Sequence, residues 1–296
     1  MMREDPAIIR RFIDFYRAAG AARIAIFHDG PQPARASLEG PGVSITECDE
    51  AFWQALCGGP RPAVHEEAQA TIYNAAFKAC QSDWLLVVDA DEFVLGPVPI
   101  CDLLQSVPAD VEAIRIPTAE AVWGPGDDLD AEFGCTYART PIRRGARLVQ
   151  RLVYGDRAPL FHLGLLGHNA GKHFLRRTAR VDSVRLHNSL RNGRGIGQWA
   201  AEVSPAGKGF VLAHFDAIGL ARWQEKWRRR LTGEIEAKDM SAQRRAQMRA
   251  IGQGIAGGEA ALRQTFARLN GLTPWQCFIL RQFGAVSRIN WPGRMH

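Results

Sequence analysis

The sequence predicts an α/β fold: a mostly parallel central sheet flanked by helices, continuing into a helical C-terminal extension. Three observations predict it. Segments of helical spacing alternate with short apolar runs across residues 5–117, the pattern of βα units. Trp84-Leu85-Leu86-Val87-Val88 is an unbroken apolar run of strand length, typical of a parallel strand buried on both faces. The last third of the 296-residue chain returns to helical periodicity. A composition of 46% hydrophobic and 23% charged residues excludes disorder, collagen and coiled-coil arrays.

Asp5-Pro6 opens the first helix, with the carboxylate as N-cap and proline at the first helical position. Ile8, Ile9, Phe12, Ile13, Tyr16 and Ala19 recur at helical spacing until Gly20 stops it. Arg23–His28 reads as a strand closed by the Asp29-Gly30 turn signal. A Pro/Gly-rich loop, Pro31–Gly42, leads to a short strand, Val43–Glu47, and His65–Cys80 reads as a second helix. After the strand Trp84–Val88 come a short helix, Cys101–Ser106, and a strand, Val111–Pro117. Beyond residue 120 loops dominate, with strand candidates at Arg147–Tyr154 and Arg180–His187, then helices over Trp223–Arg230 and Ala242–Ala250. With no evident linker, the expected organisation is one domain over residues 1–231 and a helical extension over 232–296.

Net charge is +6, but it is divided unevenly: −13 over residues 1–138, +11 over 139–194 and +8 over 195–296. An acidic part followed by a basic one suits a divalent cation on the first and an anionic ligand on the second. Nucleic acid is not expected as a partner, because aromatics are not regularly interleaved with the arginines. The six cysteines show no C-x-x-C pair or zinc-like spacing and read as reduced packing residues. No apolar stretch approaches the roughly 18 residues needed to span a bilayer, and the charged start Met1-Met2-Arg3-Glu4-Asp5 does not read as a signal peptide. The expectation is a cytoplasmic protein with at most peripheral membrane contact.

The sharpest feature is Asp89-Ala90-Asp91-Glu92-Phe93, directly after the apolar run. In an open α/β sheet ligands gather outside the carboxyl ends of the strands. Two acids spaced i, i+2 there can offer oxygens to one hard cation, as Mg²⁺ and Mn²⁺ prefer, and a metal-bound diphosphate is the natural next ligand. By itself D-x-D is a weak motif, since an acidic turn also caps the element that follows.

Together with Gln69-x-x-x-Tyr73-Asn74, the stretch Asp83–Phe93 resembles the D-x-D-E-F signature of bacterial family 2-like glycosyltransferases, the branch related to family 92, which have a GT-A fold. Downstream, Gly171-Lys172-His173-Phe174-Leu175-Arg176 is similar to that family's G-K-x-x-x-R stretch, and Val184-Arg185-Leu186-His187-Asn188 to its strand ending in histidine. His214-Phe215 with Trp223, Lys226 and Arg229 resembles its H-Y…W/F-x-x-K-x-x-R segment, with phenylalanine in place of tyrosine. Arg3-Glu4-Asp5 stands where the family has R-N-E. The family carries a strand before R-N-E for which Met1-Met2 leave no room: either the chain starts late, or the sheet lacks a strand that usually contacts the nucleotide base.

The resemblance implies transfer of a sugar from a nucleotide-diphosphate sugar, UDP being the commonest donor nucleotide for the fold, with Mn²⁺ or Mg²⁺ bridging the diphosphate. The acceptor is a glycan or other hydroxyl compound, anionic in one version of the reading, and the reaction is expected to invert. Asp91 is the first metal ligand and Asp89 a second, or a ribose contact; His214 or His187 completes the coordination. Glu92 ligates the metal or bonds neighbouring backbone. Arg3, Glu4, Asp29, Gln69, Asp89, Lys172, Arg176 and Lys226 are the donor-binding candidates, Lys172 and Arg176 through phosphate. An inverting reaction needs a carboxylate base. Asp128 or Asp127, in the loop Trp123–Asp128, is the candidate, with Glu120 behind them.

Two other classes are weighed. A non-catalytic basic module binding polyanionic glycan or nucleic acid leaves the Asp89/Asp91/Glu92 cluster unexplained, because those acids repel a polyanion. A phosphatase of the haloacid-dehalogenase type also places D-x-D after a buried strand. That chemistry wants a small residue where this chain has Phe93, and it expects the motif on the first strand.

Overall fold

A computed structural model describes residues 1–233 and 241–289. The chain is α/β with mixed sheets rather than one mostly parallel sheet. It divides into two compact units: Met1–Pro117 with Ala170–Leu212, and Thr118–Asn169 with Ala213–His296. This division differs from a boundary at 231. Of the expected extension over 232–296, residues 234–240 and 290–296 lie outside the described residues.

The first unit opens on the helix Pro6–Ala18, capped by Asp5, whose carboxylate accepts from the Ala7 and Ile8 backbone N–H groups. Such a cap contributes about 1 kcal/mol. Ile8, Ile9, Phe12, Ile13 and Tyr16 form its buried face. The strand Ile24–His28 pairs in parallel with Val43–Glu47, and Met2 bridges in parallel to His28. The segment ahead of Asp5 therefore lies beside the first strand. The helix His65–Ala79 follows as expected.

A four-stranded sheet forms the centre of this unit, in the order Gln198–Trp199, Ala113–Ile116, Lys172–Arg176, Trp84–Leu86. The first pair is parallel and the other two antiparallel. Alternation along the central strands feeds two cores. Ile114, Ile116 and Phe174 join Val94, Leu103 and Leu212 in one cluster. Ala113 and Leu175 join Trp53, Ile72, Tyr73 and Val184 in the other. The run Trp84–Val88 corrects an expectation: it is regular only over Trp84–Leu86, half-buried, and paired antiparallel. An apolar run of that length fits a buried parallel strand and a half-covered edge strand equally well, and pairing decides between them.

In the second unit Tyr137–Arg139 lies between Thr118–Val122 and Val286–Arg288, antiparallel to both. Glu120 stands opposite Arg139 in that register. Their side chains form a 2.8 Å ion pair, both almost fully buried. Glu120 also accepts from the backbone of Leu166 and Gly167, and Arg139 donates to the Leu269 carbonyl. Around them pack the helices Leu220–Leu231, Ala242–Ala256, Gly258–Asn270 and Pro274–Gln282. Phe266 sits between Trp123 and Trp223, ring centres 5.0 and 5.2 Å away.

Two strand expectations are corrected. Residues 147–154 belong to a helix, Ala146–Tyr154, in which Val149, Val153 and Tyr154 face inward. The i, i+4, i+5 spacing of those three is the helical signal. Of Arg180–His187 only Ser183–Val184 is strand.

Candidate functional site

The D-x-D-E-F residues form a closed turn at the end of the strand Trp84–Leu86. Glu92 N–H donates to the Asp89 carbonyl at 3.1 Å, and Asp89 N–H donates to Glu92 Oε2 at 2.9 Å. Asp91 occupies the third position of this turn and is half-buried. Phe93 is fully buried and anchors the turn against the first helix, packing at 5.0 Å from Phe15 and 6.3 Å from Tyr16. The Tyr16 hydroxyl donates to the Glu92 carbonyl. An aromatic at position 93 thus has a packing reason independent of any ligand.

Beneath the turn lies Lys172, with its side chain 0% exposed. Its ammonium is 2.9 Å from Asp89 Oδ2 and 3.0 Å from Glu92 Oε2. Burial works to lower its pKa, but Asp89 and Glu92 outweigh burial and hold it above the ordinary lysine value. So Lys172 has no exposed surface to offer a phosphate; it balances the charge of the acidic turn. The glycine before it makes this reach possible. Gly171 has φ +68°, and a Cβ there would stand 2.2 Å from the Ile116 carbonyl oxygen.

Two of the other resembling segments bond to one another and to Gly171. Asn74 accepts from Val184 N–H at 2.9 Å and donates to the Val184 carbonyl at 3.1 Å, its amide acting as an extra strand residue. His187 Nδ1 lies 3.3 Å from the Gly171 carbonyl. Arg115 donates to Asn188 Oδ1 and to the Ala170 carbonyl. Tyr73 is buried, and its hydroxyl finds no hydrogen-bond partner among the described residues. Burial first, then Asp89 and Glu92, push its pKa well above the usual tyrosine value. The Met1 amino group is also held below its ordinary pKa, burial outweighing the nearby Asp89.

The remaining candidates of the first unit are placed as follows. Asp29 is gripped by both arms of Arg61 at 3.1 Å. Arg176 donates to the carbonyls of Val107, Pro108 and Val111 and lies 4.2 Å over the Trp84 ring, so it ties down a loop. Gln69 is buried on the helix His65–Ala79. Arg3 is exposed and Glu4 half-buried, the Glu4 carbonyl accepting from Gln32 Nε2.

Asp127, Asp128, His214 and Lys226 belong to the second unit. Asp127 accepts from Gly124 N–H, Thr136 N–H and the Thr136 hydroxyl, which fixes its loop. Asp128 is exposed, and its Oδ1 accepts from Asp130 N–H. Lys226 Nζ is 2.9 Å from Asp216 Oδ1. Burial would raise the Asp216 pKa, yet Lys226, Arg230, His214 and Arg244 hold it well below the usual carboxylate range. Arg230 and Arg244 approach the Trp227 ring at 4.9 and 5.6 Å, and the buried Arg230 Nη1 and Trp227 Nε1 find no hydrogen-bond partner among the described residues. One carboxylate among several cations, with two unpartnered donors, leaves this cluster suited to an oxyanion. Sequence reading passed over Asp216 and Arg244. The signal for Asp216 was its position two residues after His214, as the one acid between Glu202 and Glu225.

Among the described residues no group of three or more His, Cys, Asp or Glu side chains is arranged to hold a metal ion by itself. The donor set still fits a hard cation. Mg²⁺-type ions are commonly held by one or two carboxylates, the rest of the shell coming from water and substrate phosphate. Asp89 and Asp91, both half-buried on one turn, are such a pair. Among the described residues no helix is long and apolar enough to cross a membrane. No family model matches the chain, and no curated protein or solved structure shows significant similarity to it.

Proposed function

We propose that the chain is a metal-dependent glycosyltransferase of GT-A-like fold, moving a sugar from a nucleotide-diphosphate sugar, UDP first among the donors, to a hydroxyl acceptor. One observation carries the reading. Three of the segments that resemble the family, Gln69–Asn74, Gly171–Arg176 and Val184–Asn188, are up to 110 residues apart in sequence, yet they hydrogen-bond to one another, and Lys172 bonds in turn to the acidic turn at Asp89.

In this reading Asp91 and Asp89 would hold Mn²⁺ or Mg²⁺ together with the donor diphosphate. An ion held there would supply positive charge against the departing nucleoside diphosphate. Lys172 and Glu92 keep the turn in shape, and the Lys172 charge lets the carboxylates stand close together without repelling one another apart. Asp128 is the preferred base, because the carboxylate of Asp127 is committed to its own loop. Of the histidine candidates for the metal, His187 belongs to the same unit as the acidic turn. The cations around Asp216 suit an anionic group of donor or acceptor.

The test is nucleoside-diphosphate release from a panel of UDP-, GDP- and dTDP-sugars with Mn²⁺, Mg²⁺ or EDTA, with calorimetric donor binding alongside. The expected result is metal-dependent release from one donor, abolished in Asp91→Ala. Absence of metal-dependent binding for every donor would sink the proposal.

A further inference from the structure

We infer that the face built by the helices Ala146–Tyr154 and Pro274–Gln282 docks the second unit onto an anionic lipid leaflet. Seven large apolar side chains stand exposed among the described residues, and five are on or next to these two helices: Leu148 (78% exposed), Leu152 (58%), Trp275 (56%), Phe278 (55%) and Phe283 (46%). The helices lie together, since Gln276 Nε2 donates to the Val153 carbonyl at 2.9 Å. Leu148 and Leu152 are one turn apart on the outer side of the first, while Val149 and Val153 face in. On the second helix Trp275 and Phe278 stack outward with ring centres 6.0 Å apart.

Charge selects the occupant. Residues 143–154 carry Arg143, Arg144, Arg147 and Arg151, all exposed, and no Asp or Glu. Residues 271–289 carry Arg281 and Arg288, again exposed and without an acid. A second copy docking through the same face would set six arginines against six. Nucleic acid would use the arginines and the aromatic faces but would leave Leu148 and Leu152 in water. A lipid leaflet uses all of them: leucine and phenylalanine at the acyl boundary, tryptophan at headgroup depth, guanidinium on the phosphates. Contact of this kind is peripheral. The helix Leu220–Leu231 is also basic but does not offer such a face, because its Trp223 and Trp227 are buried. The inference does not depend on the glycosyltransferase reading.

The experiment is co-sedimentation of the full chain with vesicles of phosphatidylcholine alone and of phosphatidylcholine with 30% phosphatidylglycerol. Binding is expected to the anionic vesicles, weakened by raising NaCl, with part of the tryptophan emission quenched by brominated acyl chains. Removing three arginines (R143Q/R144Q/R147Q) should lower partitioning on the order of a hundredfold. L148S/L152S and, separately, W275A/F278A should each lower it at least tenfold with melting temperature unchanged, because these side chains are exposed. Equal affinity for neutral vesicles, indifference to both apolar double variants, or an oligonucleotide binding more tightly than the anionic vesicles would overturn the inference. So would a dimer in sedimentation velocity that L148S/L152S dissolves.

Discussion

Replacing Lys172 with methionine removes a cation that lies within 3.0 Å of both Asp89 and Glu92 while keeping most of the side-chain volume. Glu92, 1% exposed, then holds a negative charge beside Asp89 with the Asp89 N–H still donating to it. Breaking a buried pair from one side costs about 3–5 kcal/mol, because a charge is left buried without its partner. For a folding unit of this size that is on the order of 10 °C in melting temperature. Glu92→Gln alone should cost less, since Lys172 keeps Asp89 at 2.9 Å. The double variant K172M/E92Q should be more stable than K172M, giving a coupling energy of at least about 1 kcal/mol. The deficit has a pH sign. Without Lys172 the buried Glu92 charge is the disfavoured form, so the K172M deficit shrinks as pH falls. In the parent chain the sign is opposite and at the other end of the scale. A lysine held above its unfolded value of 10.5 contributes stability at lower pH, lost as pH rises through the folded value. Urea denaturation followed by circular dichroism at pH 5, 7 and 10 reads all of this. Additive single and double variants, or a K172M as stable as the parent at pH 7, would refute the reasoning.

His173 is buried, lies 2.7 Å from the Ser189 hydroxyl, and is pushed down to about 4 by burial and then by Arg115 and Lys172. A histidine kept neutral in the folded state stabilises above its unfolded value of 6.5 and loses that contribution as pH falls toward 4. The difference between 6.5 and about 4 corresponds to about 3 kcal/mol. Subtracting the denaturation profile of His173→Gln from that of the parent should isolate this acid limb; a flat difference would contradict it. Gly171→Ala should cost about 1–2 kcal/mol for the left-handed backbone alone, before the contact with the Ile116 carbonyl, and should lower the melting temperature by several degrees. Asp127→Ala should destabilise through three lost hydrogen bonds. Asp128→Asn should leave stability within about 0.5 kcal/mol and lower transfer activity 10²- to 10⁴-fold once a donor is known; the reverse pattern would exchange their roles.

What the sequence disclosed, and what it withheld, divides along the range of the forces involved. The Asp5-Pro6 cap, the strand Val43–Glu47 and the helix His65–Ala79 are set by local chemistry and by burial periodicity, so they were legible one residue after another. Residues 147–154 misled because Arg-Leu-Val-Gln-Arg-Leu-Val-Tyr reads as β-branched and aromatic, and only the spacing of Val149, Val153 and Tyr154 betrays the helix. Its outward leucines blurred the polar face that a globular helix normally shows, and the same anomaly is what marks the helix as a docking surface. At the acidic turn Asp89 and Asp91 announced themselves by position, but Lys172 could be read only as a generic phosphate contact. Its task depends on a pairing across 83 residues that no local pattern encodes. A buried lysine shared by two carboxylates changes what the turn can do. Three acids in four residues would otherwise repel one another and lean on a cation to fold at all. With Lys172 in place the turn is closed beforehand, and binding of a divalent ion need not supply the energy of forming it. Folding and metal binding should therefore separate: K172M is expected to couple them again, with Mn²⁺ raising the melting temperature of the variant more than that of the parent.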